Sequence, residues 1–232
     1  MNTSTVADIV ALGAPVLCLD TCTVLDMMRD PTRDSVHPYE RQAGCDLLAA
    51  AEGGPRLVAL LADQVRLEFQ DRLQDVEDEA TQALGKLKAL VNRIDAVAAV
   101  YGCGGVADLS HLDDHVRRAR AIVDRWIRVA RPARQGADVP ARAFDRLNLA
   151  QTPARKGKDS MKDCVVIETY LEFARALRNA GMSRPIVFAS SNVKDYAGVS
   201  GSALKSDLAQ EFTALGMEFA PNLAAAKHHL GL

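Results

Sequence analysis

The chain has 232 residues, 48% of them hydrophobic and 25% charged, with a net charge of −2. These values fit a soluble globular protein of one large domain, or a core domain carrying an insertion. They exclude a general attraction of the whole molecule to nucleic acid, so any such contact has to come from a local patch.

Five cysteines occur (Cys18, Cys22, Cys45, Cys103 and Cys164), an odd number with no Cys-x-x-Cys pair. That pattern predicts reduced thiols rather than a disulfide framework or a zinc site. The N-terminus lacks the basic region of a signal peptide, and no apolar run reaches the roughly 18 residues of a membrane helix. A cytoplasmic protein with no membrane partner is the expectation.

Residues 1–15 read as a short lead-in. Val16-Leu17-Cys18-Leu19 is then a continuous apolar run ending at Asp20 and Thr21. Such a run predicts a strand buried on both faces, as in a parallel sheet. A turn into a short helix over 23–28 and a polar loop around Asp30-Pro31 follow. A helix is predicted over 39–51, stopped by Gly53-Gly54-Pro55. Leu57–Leu61 is a second buried strand, and Asp63 is placed to cap the helix after it.

That helix runs to about Val100 without a proline, and Leu84, Leu87, Leu90, Val91, Ile94 and Val97 recur at helical spacing. Its Asp71–Glu79 segment reads as a solvated acidic face. Tyr101-Gly102-Cys103-Gly104-Gly105 breaks it. A helix over 111–130 buries Val116, Ala119, Ile122, Val123, Trp126 and Ile127. Residues 132–140 are a loop, 141–150 a short helix and 151–158 a basic loop. A strong helix runs from about Ser160 to Asn179, with Ile167, Tyr170, Leu171, Ala174 and Leu177 as its apolar stripe. Strand Pro185–Ala189, a helix over 203–215, strand Met217–Ala220 and a terminal helix complete the chain.

Strand–helix alternation predicts an α/β protein: a three-layer sandwich around a mostly parallel central sheet with right-handed crossovers. The middle helices exceed what a crossover needs. They read as a helical insertion at about 76–150 within a single domain of 1–232.

Four acids have settings that fit one site. Asp20 ends the first strand, and Glu68 lies in the first turns after the second. Asp163 heads the buried stripe of the 160–179 helix, four residues before Ile167. Asp195 follows the third strand by a short loop. In a parallel sheet, strand C-termini and the next helix N-termini share one edge, so all four would meet in one crevice. Crowded carboxylates repel and their pKa values rise. A divalent cation with oxygen ligands relieves this and can position water at a phosphodiester. Taken singly, residues of this constellation have plainer readings: Asp20 as a helix cap or turn residue, Glu68 as a helix surface residue, Asp159 as an N-cap, Asn192 as part of a turn.

The same residues resemble PIN domains. Strand-Asp20-Thr21 resembles the opening motif, and Ala62-Asp63-Gln64-Val65-Arg66-Leu67-Glu68-Phe69 the second. Lys158-Asp159-Ser160-Met161-Lys162-Asp163 is similar to the third, and Ser190-Ser191-Asn192-Val193-Lys194-Asp195-Tyr196 to the fourth. The resemblance covers about 16–75 and 155–220. It departs at Asn192, where many members carry Asp, so the fourth ligand stays open between Asn192 and Asp195.

The resemblance implies a Mg²⁺- or Mn²⁺-dependent ribonuclease. Asp20, Glu68, Asp163 and Asp195 would be catalytic, with Asp20, Asp163 and Asp195 on the metal. Thr21, Ser190, Asn192 and Asp159 would support them. It also implies an RNA substrate, and a toxin that forms a homodimer and has a cognate antitoxin.

Thirteen lysines and arginines against four aspartates lie between Arg117 and Lys162. Arg155, Lys156, Lys158 and Lys162 lead into the acidic site, which suits phosphate-backbone binding. The competing reading is a solvated face paired with Asp71–Glu79. Two other strand-Asp enzymes or binders fit poorly, because Cys22 and Val24 occupy the positions where a haloacid-dehalogenase phosphatase or a metal-dependent adhesion site needs an acid or serines. A catalytically degenerate PIN fold that binds RNA or protein is the remaining alternative.

Overall fold

A computed structural model gives the fold and describes residues 3–54, 56–155, 157, 159–198, 201 and 203–232. Lys156 and Lys158, expected to bind nucleic acid, lie outside the described residues.

Five strands form one all-parallel sheet: β1 (Val16–Leu19), β2 (Val58–Ala62), β3 (Arg131–Ala133), β4 (Ile186–Ala189) and β5 (Met217–Ala220). Their order is β3-β2-β1-β4-β5. Val16 pairs with both Val58 and Ile186, so β1 is central. Every residue of β1, β2 and β4 is buried, as continuous apolar runs in a doubly covered sheet should be.

Among the described residues the helices are α1 (Thr3–Leu12), α2 (Thr21–Leu25), α3 (Pro38–Glu52), α4 (Asp63–Val100), α5 (His115–Val129), α6 (Val139–Asn148), α7 (Met161–Asn179), α8 (Val193–Tyr196), α9 (Ser206–Leu215) and α10 (Leu223–Leu230). On one face α10 packs on α3, β1 and β4, and α5 on α3. On the other, α7 packs on β2 and β3 and touches α1, α6 and α9. This is the three-layer sandwich expected from the strand–helix alternation. The close contact of the first layer rests on Gly44, where a Cβ would lie 2.5 Å from Met27 Sδ and 2.8 Å from Leu223.

Three elements differ from the sequence reading. The lead-in is helical (α1). The 132–140 loop begins within an edge strand, β3, which contains Pro132 and pairs only with β2. Proline lacks the N–H that an inner strand must donate, so it suits an edge. The segment 76–150, read as a helical insertion, therefore contains a strand of the central sheet. The 111–130 helix begins later, at His115, behind a short 3₁₀ turn over Ser110–Leu112 and a left-handed Asp114.

The 38-residue α4 has two unlike halves. Val65, Glu68, Phe69, Val76, Ala80 and Leu84 are buried, whereas Leu90, Ile94 and Val97 are 43–55% exposed. At about 1.5 Å per residue the distal half extends some 20 Å past the last buried residue. Among the described residues no helix is long and apolar enough to cross a membrane.

Candidate active site

The chain leaves β1 toward β2 and β3 on one side, and reaches β4 and β5 on the other. The β1/β4 boundary is therefore where the winding reverses, and such switch points open a crevice beyond the strand C-termini. Asp20 and Ser190 are the first residues after those two strands. Asp20 N–H donates to Ala189 O (3.0 Å) and Ser190 N–H to Ala220 O (3.0 Å), which carries the ladder one residue further.

Asp20 is 5% exposed. Its Oδ1 accepts from Thr21 N–H (2.7 Å), and its Oδ2 accepts from Ser190 Oγ (2.5 Å) and Cys22 Sγ (3.2 Å). Thr23 Oγ1 donates to Ala189 O (3.2 Å) and accepts from Ser191 N–H (2.9 Å), tying the two strand-end loops together.

Glu68 reaches the same place because Val65, Glu68 and Phe69 share the buried face of α4. Its Oε2 accepts from Thr21 Oγ1 (2.9 Å) and its Oε1 from Gln64 Nε2 (3.3 Å). Asp163 is placed by α7. Tyr170, two turns further along the same face, donates its hydroxyl to Leu19 O (2.6 Å) and accepts from Ala62 N–H (3.0 Å). That clamp holds α7 across the ends of β1 and β2, and Asp163 opens onto the crevice.

Asp20, Glu68 and Asp163 line one cavity of about 580 Å³, together with Thr21, Cys22 and Asn192. Burial pushes the Asp20 carboxyl up to about 6, against the bonds from Ser190 and Cys22, and the negative charges of Asp163 and Glu68 push it further the same way. The Cys22 thiol is pushed up to about 12, by burial first and then by Asp20, so it stays protonated and donates.

Asp195 does not join this group. Its carboxylate is buried but accepts from Arg155 Nη1 (3.0 Å) and Asn192 Nδ2 (2.5 Å), and it does not line the cavity. Asn192 does line it. At the fourth motif the structure therefore puts the amide at the crevice and the acid behind it, compensated by an arginine. Asp159 lines the cavity and accepts from Met161 N–H (3.3 Å), but the N-cap position of α7 is Ser160, one residue later. Lys162 also lines it, 4.0 Å from Asp71.

Most of the basic 117–162 segment is spent on internal ion pairs. Arg117 meets Asp114, Arg120 meets Glu77 and Asp124, and Arg125 meets Glu52. Arg142 meets Glu168 and Glu172, while Arg146, 2% exposed, joins Glu168 to Glu211. The cations that line the cavity besides Lys162 are Arg29, Arg33, Arg41 and Arg72, which the sequence reading passed over. One signal was present: Arg29, Arg33 and Arg41 follow β1 directly, on the edge where its C-terminus opens. Tyr196 entered the sequence reading only as the last residue of the fourth motif. It is fully buried, with its ring edge-on to Phe188 (5.1 Å), and its hydroxyl has no partner among the described residues. Burial first, and then the negative charges of Asp20, Asp163 and Glu68, hold the pKa of that hydroxyl well above 10.0.

Among the described residues no three His, Cys, Asp or Glu side chains stand close enough together to hold a metal ion directly. The donor set fits a hydrated ion better: Mg²⁺ keeps several waters and takes one or two carboxylates. No family model, curated protein or solved structure matches the chain.

Proposed function

We propose that the chain is a Mg²⁺- or Mn²⁺-dependent ribonuclease acting at the β1/β4 switch point. The carrying observation is the shared cavity of Asp20, Glu68 and Asp163, with the Asp20 carboxyl raised by burial and further by its two acidic neighbours. Three acids crowded into one cavity repel one another at a cost in stability. A bound divalent ion removes that cost, and when present it supplies Lewis acidity and an activated water for phosphodiester hydrolysis.

The chain's own residues set the geometry. Ser190 Oγ and Thr21 N–H fix the Asp20 carboxylate, and Thr21 Oγ1 orients Glu68. Cys22 donates to Asp20 and contributes no charge at neutral pH. Asn192 offers an amide where the resemblance implies an acid, and Asp195 acts through it. The five cysteines are all free thiols, which fits a reducing cytoplasm.

The test is cleavage of a 5′-labelled single-stranded RNA by the purified chain. Cleavage is expected with Mn²⁺ or Mg²⁺, none with a chelator, and none from Asp20→Asn or Asp163→Asn. The second reading, a catalytically silent RNA-binding module, draws on the absence of a tight three-ligand set among the described residues. It predicts RNA binding without turnover under every metal tested.

A further inference from the structure

Two cavity-lining cations have no anionic partner among the described residues. Arg41 lies in the first turn of α3, half-buried. Burial lowers its pKa, as does the charge of nearby Arg29. The carboxylates nearest to it are committed elsewhere. Asp26 holds Arg29 at 2.5 Å, and Glu40 accepts from Asn222 Nδ2 at 2.8 Å. Arg41 makes no side-chain hydrogen bond or ion pair among the described residues. The first turn of a helix is also an unfavourable place for a cation, because the macrodipole is positive there. A desolvated guanidinium in that position works against folding.

Arg72 lies one turn beyond Glu68 on α4, on the same helix face, so it stands next to the carboxylate floor. It too has no partner among the described residues. By contrast, the cavity's other arginines are engaged: Arg29 with Asp26, Arg33 with Glu79. Two unspent guanidiniums from different helices therefore share a recess with three acids. Guanidinium is the group best matched to phosphate, through paired N–H donors. About 580 Å³ has room for a short length of single strand.

We propose that Arg41 and Arg72 form a phosphate-binding subsite that seats the backbone of single-stranded RNA beside the bond held at Asp20, Glu68 and Asp163. This rests on the ribonuclease reading for the identity of the neighbouring bond. Its test is binding without metal, so it stands or falls apart from cleavage.

The experiment is fluorescence anisotropy with a labelled ten-nucleotide RNA and the full chain in a chelator, over a series of salt concentrations. Arg41→Gln and Arg72→Gln are each expected to weaken binding about 5- to 20-fold, and each to reduce the slope of log K against log salt by about 0.7, one phosphate's share on a single strand. Arg125→Gln, at a surface pair with Glu52, serves as the charge control and is expected to change neither. Arg41→Lys keeps the charge but loses the fork, and is expected to fall between. Thermal melting checks that each variant is folded. If an Arg variant is unfolded, protection of the wild-type arginine from a guanidine-directed reagent by bound RNA replaces it, with protection expected. Wild-type affinity in both Gln variants, an equal loss in Arg125→Gln, or no wild-type binding to RNA overturns the proposal. So does loss of inorganic-phosphate binding in the variants with RNA affinity unchanged, which would assign the subsite to a free anion. Absent cleavage with intact Arg-dependent binding would overturn only the ribonuclease reading.

Discussion

Asp20 and Asp195 are the same residue type, each buried, each just beyond a neighbouring strand of one sheet. Their surroundings make them opposites. Asp20 has hydroxyl, thiol and amide donors but no cationic partner among the described residues, and two acids face it. Asp195 has Arg155 and the Asn192 amide. The first is an unpaid charge that a ligand can neutralise. The second is already neutralised within the chain. Burial of an acid is thus not what marks a site; the missing counter-charge is.

The largest expected effect that tests this contrast is on activity. Asp20→Asn and Asp163→Asn should lower RNA cleavage by about 10²–10³-fold or more, the cost of losing one electrostatic stabiliser in a preorganised site. Asp195→Asn keeps the shape and should cost less than about 10-fold. Single-turnover rates under saturating Mn²⁺ measure both. Equal losses at Asp20 and Asp195 would break the comparison.

The second effect is on stability and has the unusual sign. Asp20 has a folded pKa of about 6 against an ordinary 3.8. Between those values the folded state binds more protons than the unfolded, so stability falls as pH rises through that window. The accumulated penalty at neutral pH is about 3 kcal/mol at 1.36 kcal/mol per unit. Metal-free Asp20→Asn should therefore melt higher than wild type at pH 7.5, with the difference shrinking toward zero near pH 4. Excess Mn²⁺ should raise the wild-type melting temperature and leave the variant's unchanged.

A third effect sits on the other carboxylate. Arg155→Ala removes one counter-charge from Asp195 and should destabilise by about 1–2 kcal/mol, below the full cost of breaking a buried pair because Arg155 is half exposed. Urea denaturation at neutral pH reads it. Asp195→Asn in the same background should recover much of the loss.

The central frame was legible in the sequence because its signals are local. Uninterrupted apolar runs gave β1, β2 and β4, and the stripe from Ile167 to Leu177 gave α7 with every named residue buried. Asp20, Glu68 and Asp163 could be placed together because a parallel sheet fixes which ends meet. What escaped depends on contacts distant in sequence. β3 is three residues with a proline, recognisable only beside β2. Asp195 is sorted from Asp20 by Arg155, forty residues earlier. The dense cations of 117–162 are neutralised by Glu52, Glu77, Glu168 and Glu211. The apolar repeat of α4 continues at the same spacing past Leu84, yet only its first half meets the core.

The smallest expected effect sharpens that last point. Val76→Ala in the buried half of α4 should cost about 1–2 kcal/mol, whereas Ile94→Ala should stay within about 0.5 kcal/mol in dilute solution. Chemical denaturation of both variants separates them.

The most direct measurement for the whole account is calorimetric titration of Mn²⁺ into the purified chain at pH 7.5. Saturable binding is predicted for wild type and for Asp195→Asn, with binding lost in Asp20→Asn and in Asp163→Asn. No binding to wild type, or undiminished binding to the Asp20 and Asp163 variants, would contradict a metal centre at the β1/β4 crevice.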